Sequence, residues 1–225
     1  MKLKVCGMKY FENIQEVGAL APDYLGFIFY KKSKRYFDGI LPELPRTIQK
    51  VGVFVNASFD EILEKTQAYD LQLIQLHGDE TATYIHDLKG HFERREKSHQ
   101  KKQNEPLDCA HGDNSVKIIK AFGIKTTFDF DVLNPYVNHV DYFLFDTKGK
   151  ERGGNGIPFD WKVLENYPFS KPFFLSGGIG LDQLDEIREI RKTDLPIYAL
   201  DVNSKFEIEA GLKNTKQLKA FKEQI

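Results

Sequence analysis

The chain has 225 residues, including 17 Gly, 9 Pro and 2 Cys, and a formal net charge of −1. A domain runs to about 100–200 residues and a single α/β barrel to roughly 250, so one domain spanning 1–225 is the default. The near-zero charge argues against a nucleic-acid binder working through a broad basic surface, and the 41% hydrophobic and 13% aromatic content rules out wholesale disorder.

Cys6 and Cys109 cannot make a disulfide framework, and two free thiols in a reducing compartment are expected. The first residues carry no apolar leader, and no apolar run approaches the ~20 residues of a membrane span. The expectation is a cytoplasmic protein, a monomer or homodimer, acting on a small molecule without a membrane or nucleic-acid partner.

In chain order, eight short apolar runs read as strands buried on both faces: Leu3–Cys6, Tyr24–Phe29, Val51–Val55, Leu73–Leu76, Val116–Ala121, Tyr142–Phe145, Pro172–Leu175 and Ile197–Leu200. Between them lie segments of helical spacing. Phe59–Tyr69 carries Ile62, Leu63 and Ala68 on one face behind Ser58 as N-cap. Leu181–Arg191 carries Leu184, Ile187 and Ile190. Asn214–Phe221 carries Leu218 and Phe221 behind Asn214 or Thr215. Eight strand–helix units predict a (β/α)8 TIM barrel, with a doubly wound open sheet as the alternative. The polar, aperiodic stretch His91–Asn114 reads as a solvated surface insertion. Its Cys109-Ala110-His111 supplies two candidate ligands without a partner pair, and no metal is expected.

In such a barrel the chemistry sits at the C-terminal strand ends. The first strand ends in Cys6-Gly7, where the thiol is either inert core or a thiolate base or nucleophile at the mouth. After the second, a run of cations includes Arg35, whose planar fork suits a carboxylate. The fourth ends at His77, an acid–base group or a loop hydrogen-bonder. The sixth ends at Asp146, a turn-forming or helix-capping residue or else a general acid or base tuned by burial. The glycine-rich 149–156 loop that follows, with Gly154 and Gly156, is either plainly flexible or able to close over an anion. Gly177-Gly178 after the seventh strand, and Asn203-Ser204 ahead of an expected short helix Phe206–Leu212, predict a phosphate site at loops 7 and 8.

The motifs Lys4-Val5-Cys6-Gly7-Met8, Leu25-Gly26-Phe27-Ile28-Phe29 with Ser33-Lys34-Arg35-Tyr36, Gln75-Leu76-His77-Gly78, Phe145-Asp146, Gly153-Gly154-Asn155-Gly156, Leu175-Ser176-Gly177-Gly178-Ile179 and Asp201-Val202-Asn203-Ser204 follow one another in an order that resembles the phosphoribosylanthranilate isomerases of tryptophan biosynthesis. The resemblance spans almost the whole chain. It implies a cofactor-free Amadori rearrangement of N-(5′-phosphoribosyl)anthranilate to the 1-deoxyribulose 5-phosphate. Cys6 would be the general base, Asp146 the general acid and Arg35 the partner of the anthranilate carboxylate. Gly177, Gly178, Asn203 and Ser204 would bind phosphate, with Gly154, Gly156 and His77 as further substrate contacts. Lys34 stands where the family often has proline, and Asn203-Ser204-Lys205 where it has two serines and a glycine. The rival readings are another phosphate-binding barrel isomerase and a sugar-phosphate binder that has lost catalysis.

Overall fold

The computed structural model describes residues 1–100, 115–147 and 159–225, with side chains left out for 95–100. Eight parallel strands close into a barrel in sequence order: β1 (Lys2–Val5), β2 (Tyr24–Ile28), β3 (Gln49–Phe54), β4 (Leu73–Leu76), β5 (Lys117–Ile124), β6 (Tyr142–Thr147), β7 (Phe173–Leu175) and β8 (Ile197–Val202). Closure runs between β1 and β8, where Lys4 stands opposite Asp201. All eight strand expectations fall on these elements, and the open-sheet alternative is excluded.

The strands read as apolar runs because both faces are covered. Outward side chains such as Phe27, Phe54, Phe143 and Phe173 form the shell core with the helices. Inward ones, among them Val51, Leu73, Ile119, Leu144, Phe174 and Ala199, fill the barrel. That interior is a packed layer rather than a pore.

The helical complement departs from eight regular units. The α-helices are α1 (Phe11–Ala19), α2 (Phe59–Tyr69), α3 (Ala82–Gln100), α4 (Leu184–Ile190) and α5 (Thr215–Lys222). The β2–β3 connection holds no helix. Phe130–Leu133 after β5 and Trp161–Asn166 after β6 are 3-10 turns, and another at Leu181–Gln183 precedes α4. The two predicted caps hold: Ser58 accepts from the Glu61 amide at 3.2 Å and Asn214 from the Gln217 amide at 3.1 Å.

Two expectations are corrected. The loop expected from His91 is helical as far as Gln100, because α3 begins on an apolar face at Ile85 and Leu88 and its polar continuation extends that nucleus. Residues 101–114, including Cys109 and His111, lie outside the described residues. The short helix expected at Phe206–Leu212 is a single 3-10 turn, Ser204–Phe206, followed by a two-stranded antiparallel hairpin of β9 (Glu207–Glu209) and β10 (Leu212–Lys213). Glu207, Glu209 and Lys213 there make a period-2 pattern, and Gly211 turns the chain at φ +92°. Among the described residues no helix is long and apolar enough to cross a membrane.

Candidate active site

The C-terminal ends of the strands surround a cleft of about 390 Å3. Cys6, Arg35, His77, Asp146, Gly177, Gly178, Asn203 and Ser204 all line it. Gly154 and Gly156 lie outside the described residues. The described members of the sequence-derived set therefore converge from six strand ends on one cavity.

Cys6 leaves β1 through Gly7, whose φ of +73° suits glycine. A Cβ on Gly7 would lie 2.7 Å from Arg35 Cδ and 2.8 Å from Asn203 Oδ1, so the bare backbone is what lets loops 2 and 8 meet beside the thiol. On β2, Gly26 makes a second space. A Cβ there would stand 2.9 Å from Cys6 Sγ and 3.2 Å from Lys4 Nζ. The thiol and the ammonium occupy the volume that a side chain on Gly26 would take.

Lys4 is completely buried and donates to Asp201 Oδ1 at 2.8 Å. Burial works against its charge, but Asp201 and the Cys6 sulfur outweigh that and hold the ammonium above its usual range. Burial raises the Asp201 carboxyl, which Lys4 opposes. Burial also pushes the Cys6 thiol up; Lys4 and Lys213 pull it down and Asp201 pushes it up further. The net effect is a thiol held above its usual range. The cations are present, and desolvation outweighs them.

Asp146 ends β6. Its carboxyl is pushed up to about 7, first by burial and then by the negative charge of Asp201. The Thr147 amide, donating to Oδ1 at 2.8 Å, and the Ser176 hydroxyl oppose the shift without cancelling it. Lys4 pairs with Asp201, so the nearby cation is already committed when Asp146 would ionise. His77 Nε2 lies 3.6 Å from Asp146 Oδ2, and its Nδ1 is 2.9 Å from Gln75 Nε2. Gln75 Oε1 is buried in the cleft wall and has no partner among the described residues.

Gly177 follows β7 at φ +95°, and a Cβ there would run into the Thr147 hydroxyl and amide. This close approach packs loop 7 against the end of β6, and Gly178 continues the turn at φ +66°. Asn203 Oδ1 accepts from Lys213 Nζ at 2.6 Å. Lys205 stands in the cleft wall, 3.1 Å from Asp182 of the seventh loop. Among the described residues no group of three or more His, Cys, Asp or Glu is placed to hold a metal.

The N-(5′-phosphoribosyl)anthranilate isomerase family model matches residues 3–114 and 103–224. The N-(5′-phosphoribosyl)anthranilate isomerase of Parabacteroides distasonis is 41% identical over 232 aligned positions, covering all of this chain and 93% of that one. The chain belongs to this isomerase family. The crystal structure of the phosphoribosylanthranilate isomerase from Thermotoga maritima superimposes with a TM-score of 0.74 at 28% identity, over the whole chain and 98% of its counterpart. Another structure of a phosphoribosylanthranilate isomerase, in complex with reduced 1-(o-carboxyphenylamino)-1-deoxyribulose 5-phosphate, matches at TM-score 0.70 and 26% identity, over all of this chain and 97% of that one.

Four charged groups of this isomerase escaped the sequence reading. Lys4 and Asp201 carried a signal: strand alternation puts Lys4 on the face of Cys6, and Asp201 opposite Lys4 across the closure. Glu207 and Lys213 carried none, because their surroundings come from loops 2 and 8 and from the hairpin.

Proposed function

We propose that the protein catalyses the Amadori rearrangement of N-(5′-phosphoribosyl)anthranilate to 1-(2-carboxyphenylamino)-1-deoxyribulose 5-phosphate, a step of tryptophan biosynthesis, with Asp146 as general acid and Cys6 as general base. The observation that carries this reading is a buried carboxyl raised to about 7, in the same cleft as a buried thiol beside two lysines. An ordinary carboxyl is ionised at neutral pH and has no proton to give; this one keeps a large protonated fraction.

The proton account closes without a cofactor. Asp146 protonates the ribose ring oxygen, the C1′–O bond breaks, and the anilino nitrogen's lone pair forms the C1′=N Schiff base. The Cys6 thiolate removes the C2′ proton, and the electrons shift to give the enolamine. The thiol then returns a proton to C1′ while the Asp146 carboxylate takes the proton of the C2′ hydroxyl, which becomes the ketone. Both groups end as they began.

The phosphate is placed at loops 7 and 8. Backbone amides at Gly177-Gly178 and Ser204, with Lys205 as a cation, support that placement in the absence of a helix N-terminus. Arg35 is placed against the anthranilate carboxylate, and Gln75 Oε1 is an acceptor ready for a substrate hydroxyl. Gly154 and Gly156 belong to the same reading as loop-6 contacts. The enzyme would work in the cytoplasm on this small molecule.

The test follows anthranilate fluorescence while phosphoribosylanthranilate is supplied in situ. Consumption by the wild type, lost in both Cys6→Ser and Asp146→Asn, supports the assignment. An inert wild type that still binds a substrate analogue sinks the catalytic reading and leaves a sugar-phosphate binder.

A further inference from the structure

Arg35 reaches the cleft with its guanidinium already gripped from behind. Glu207, at the start of β9, takes the Nε–Nη2 edge: Nε donates to Oε1 at 2.8 Å and Nη2 to Oε2 at 2.7 Å. Glu207 Oε1 also accepts from Lys213 Nζ at 2.7 Å and from the Gly211 amide at 3.0 Å. Lys213 Nζ reaches on to Asn203 Oδ1 at 2.6 Å. The side chains of Glu207 and Lys213 are 6% and 0% exposed.

Burial would raise the Glu207 carboxyl, yet Arg35 and Lys213 hold it below the usual range, so it stays an anion. Two cations then face one carboxylate, and the cluster keeps a net positive charge. A guanidinium has two hydrogen-bonding edges, and a carboxylate on one fixes the plane and aim of the other. Glu207 takes the Nε and Nη2 donors, and that fork sets the plane in which the guanidinium meets the cleft. Arg35 is fixed from its own loop as well, with its amide donating to Ser33 Oγ at 3.1 Å.

We propose that Glu207, backed by Lys213, is a positioning residue that presets Arg35, so that selectivity for a substrate with a carboxylate on its aromatic ring depends on the Arg35–Glu207–Lys213 chain and not on Arg35 alone. This inference rests on the function proposed above. An arginine immobilised before binding loses little side-chain freedom when the substrate arrives, and that saving appears in KM.

The experiment compares phosphoribosylanthranilate with N-phosphoribosylaniline, which lacks the carboxylate; each forms by condensing the amine with ribose 5-phosphate. Glu207→Gln raises KM for the anthranilate compound about tenfold, the scale of one side chain newly immobilised on binding, and leaves kcat nearly unchanged. For the aniline compound the variant and wild type have equal kcat/KM. Equal losses on both substrates, or a loss confined to kcat, overturn the inference. If Glu207→Gln fails to fold because Lys213 is left unpaired, Glu207→Asp, which keeps the charge for Lys213 but is too short to hold the Arg35 fork as Glu207 does, must show the same split between substrates. A wild type inert on both compounds overturns the function itself; an active wild type with no such split overturns only the role of Glu207.

Discussion

The two ends of the barrel are both polar and are built from the same strands, yet they solve burial in opposite ways. At the closed end, Lys2 Nζ donates to Tyr198 OH at 2.7 Å, the Tyr198 and Tyr24 hydroxyls lie 3.0 Å apart, and the Tyr142 ring sits 4.5 Å from that of Tyr198. Phenols donate and accept without ionising, and burial pushes Tyr24 and Tyr142 far above their usual range. At the open end, two to four residues further along the same strands, stand Lys4, Cys6, Asp146 and Asp201. Desolvation there leaves a carboxyl titrating at about 7. At the closed end only Tyr198, hydrogen-bonded by Lys2, is drawn below the usual phenol range, whereas the open end holds a carboxyl poised near neutrality. Chemistry is placed where burial costs stability, and the opposite end supplies uncharged contacts.

The sharpest way to break this comparison is to remove charge at the open end. Asp146→Asn lowers kcat/KM by about 10²–10⁴, the range of a single general acid, in the fluorescence assay. The same variant is more stable above neutrality. The Asp146 carboxyl rises from 3.8 unfolded to about 7 folded, so the native state loses stability as pH climbs through that window. The loss amounts to about 4 kcal/mol once the group is ionised, and Asn removes it. Thermal melts at pH 8 that show Asp146→Asn melting below wild type would refute the account. Cys6→Ser lowers kcat/KM on a similar scale, about 10²–10⁴, with little change in melting temperature.

Between the ends lies the apolar layer. Leu144→Ala there costs about 2–5 kcal/mol in chemical denaturation, and KM of the remaining folded enzyme holds. The pH profile sharpens the contrast without a mutation. kcat/KM is bell-shaped, and its limbs reflect reverse protonation: the lower, near 7, belongs to Asp146 and the upper to Cys6. Rates of alkylation by iodoacetamide against pH assign the upper limb, and a Cys6 inflection below 7 would contradict it. The smallest effect comes from the closed end. Tyr198→Phe removes a hydrogen bond worth about 1 kcal/mol, lowers the melting temperature by about 2–4 °C and leaves the pH profile where it was.

The same division governs what could be read in the sequence. All eight strands were legible because parallel strands covered on both faces are written as apolar runs. Cys6, Arg35, His77, Asp146, Gly177 and Gly178 were legible as residues of the strand ends and the turns after them, and the fold brings them to one cleft. The hairpin at 207–213 was misread as a helix because a short polar run around Ile208 and Leu212 satisfies either period. Lys120 and Lys213 were illegible for a different reason. A lysine in a sequence implies solvent, yet Lys213 is buried against Glu207 at 2.7 Å and Lys120 against Glu80 at 3.0 Å. That ion pair also braces the loop carrying His77, since Glu80 accepts from the Asn56 and Gly78 amides.

The β1–β8 seam has a consequence for biosynthesis. A ribosome delivers Lys4 and Cys6 early and Asp201, Glu207 and Lys213 late. Until β8 arrives, Cys6 stands at the edge of an open sheet beside Lys4, and that ammonium has no carboxylate across the seam. Closing the seam brings Asp201 to Lys4 and Asn203 to the side of the thiol, so the cleft is complete only in the full barrel.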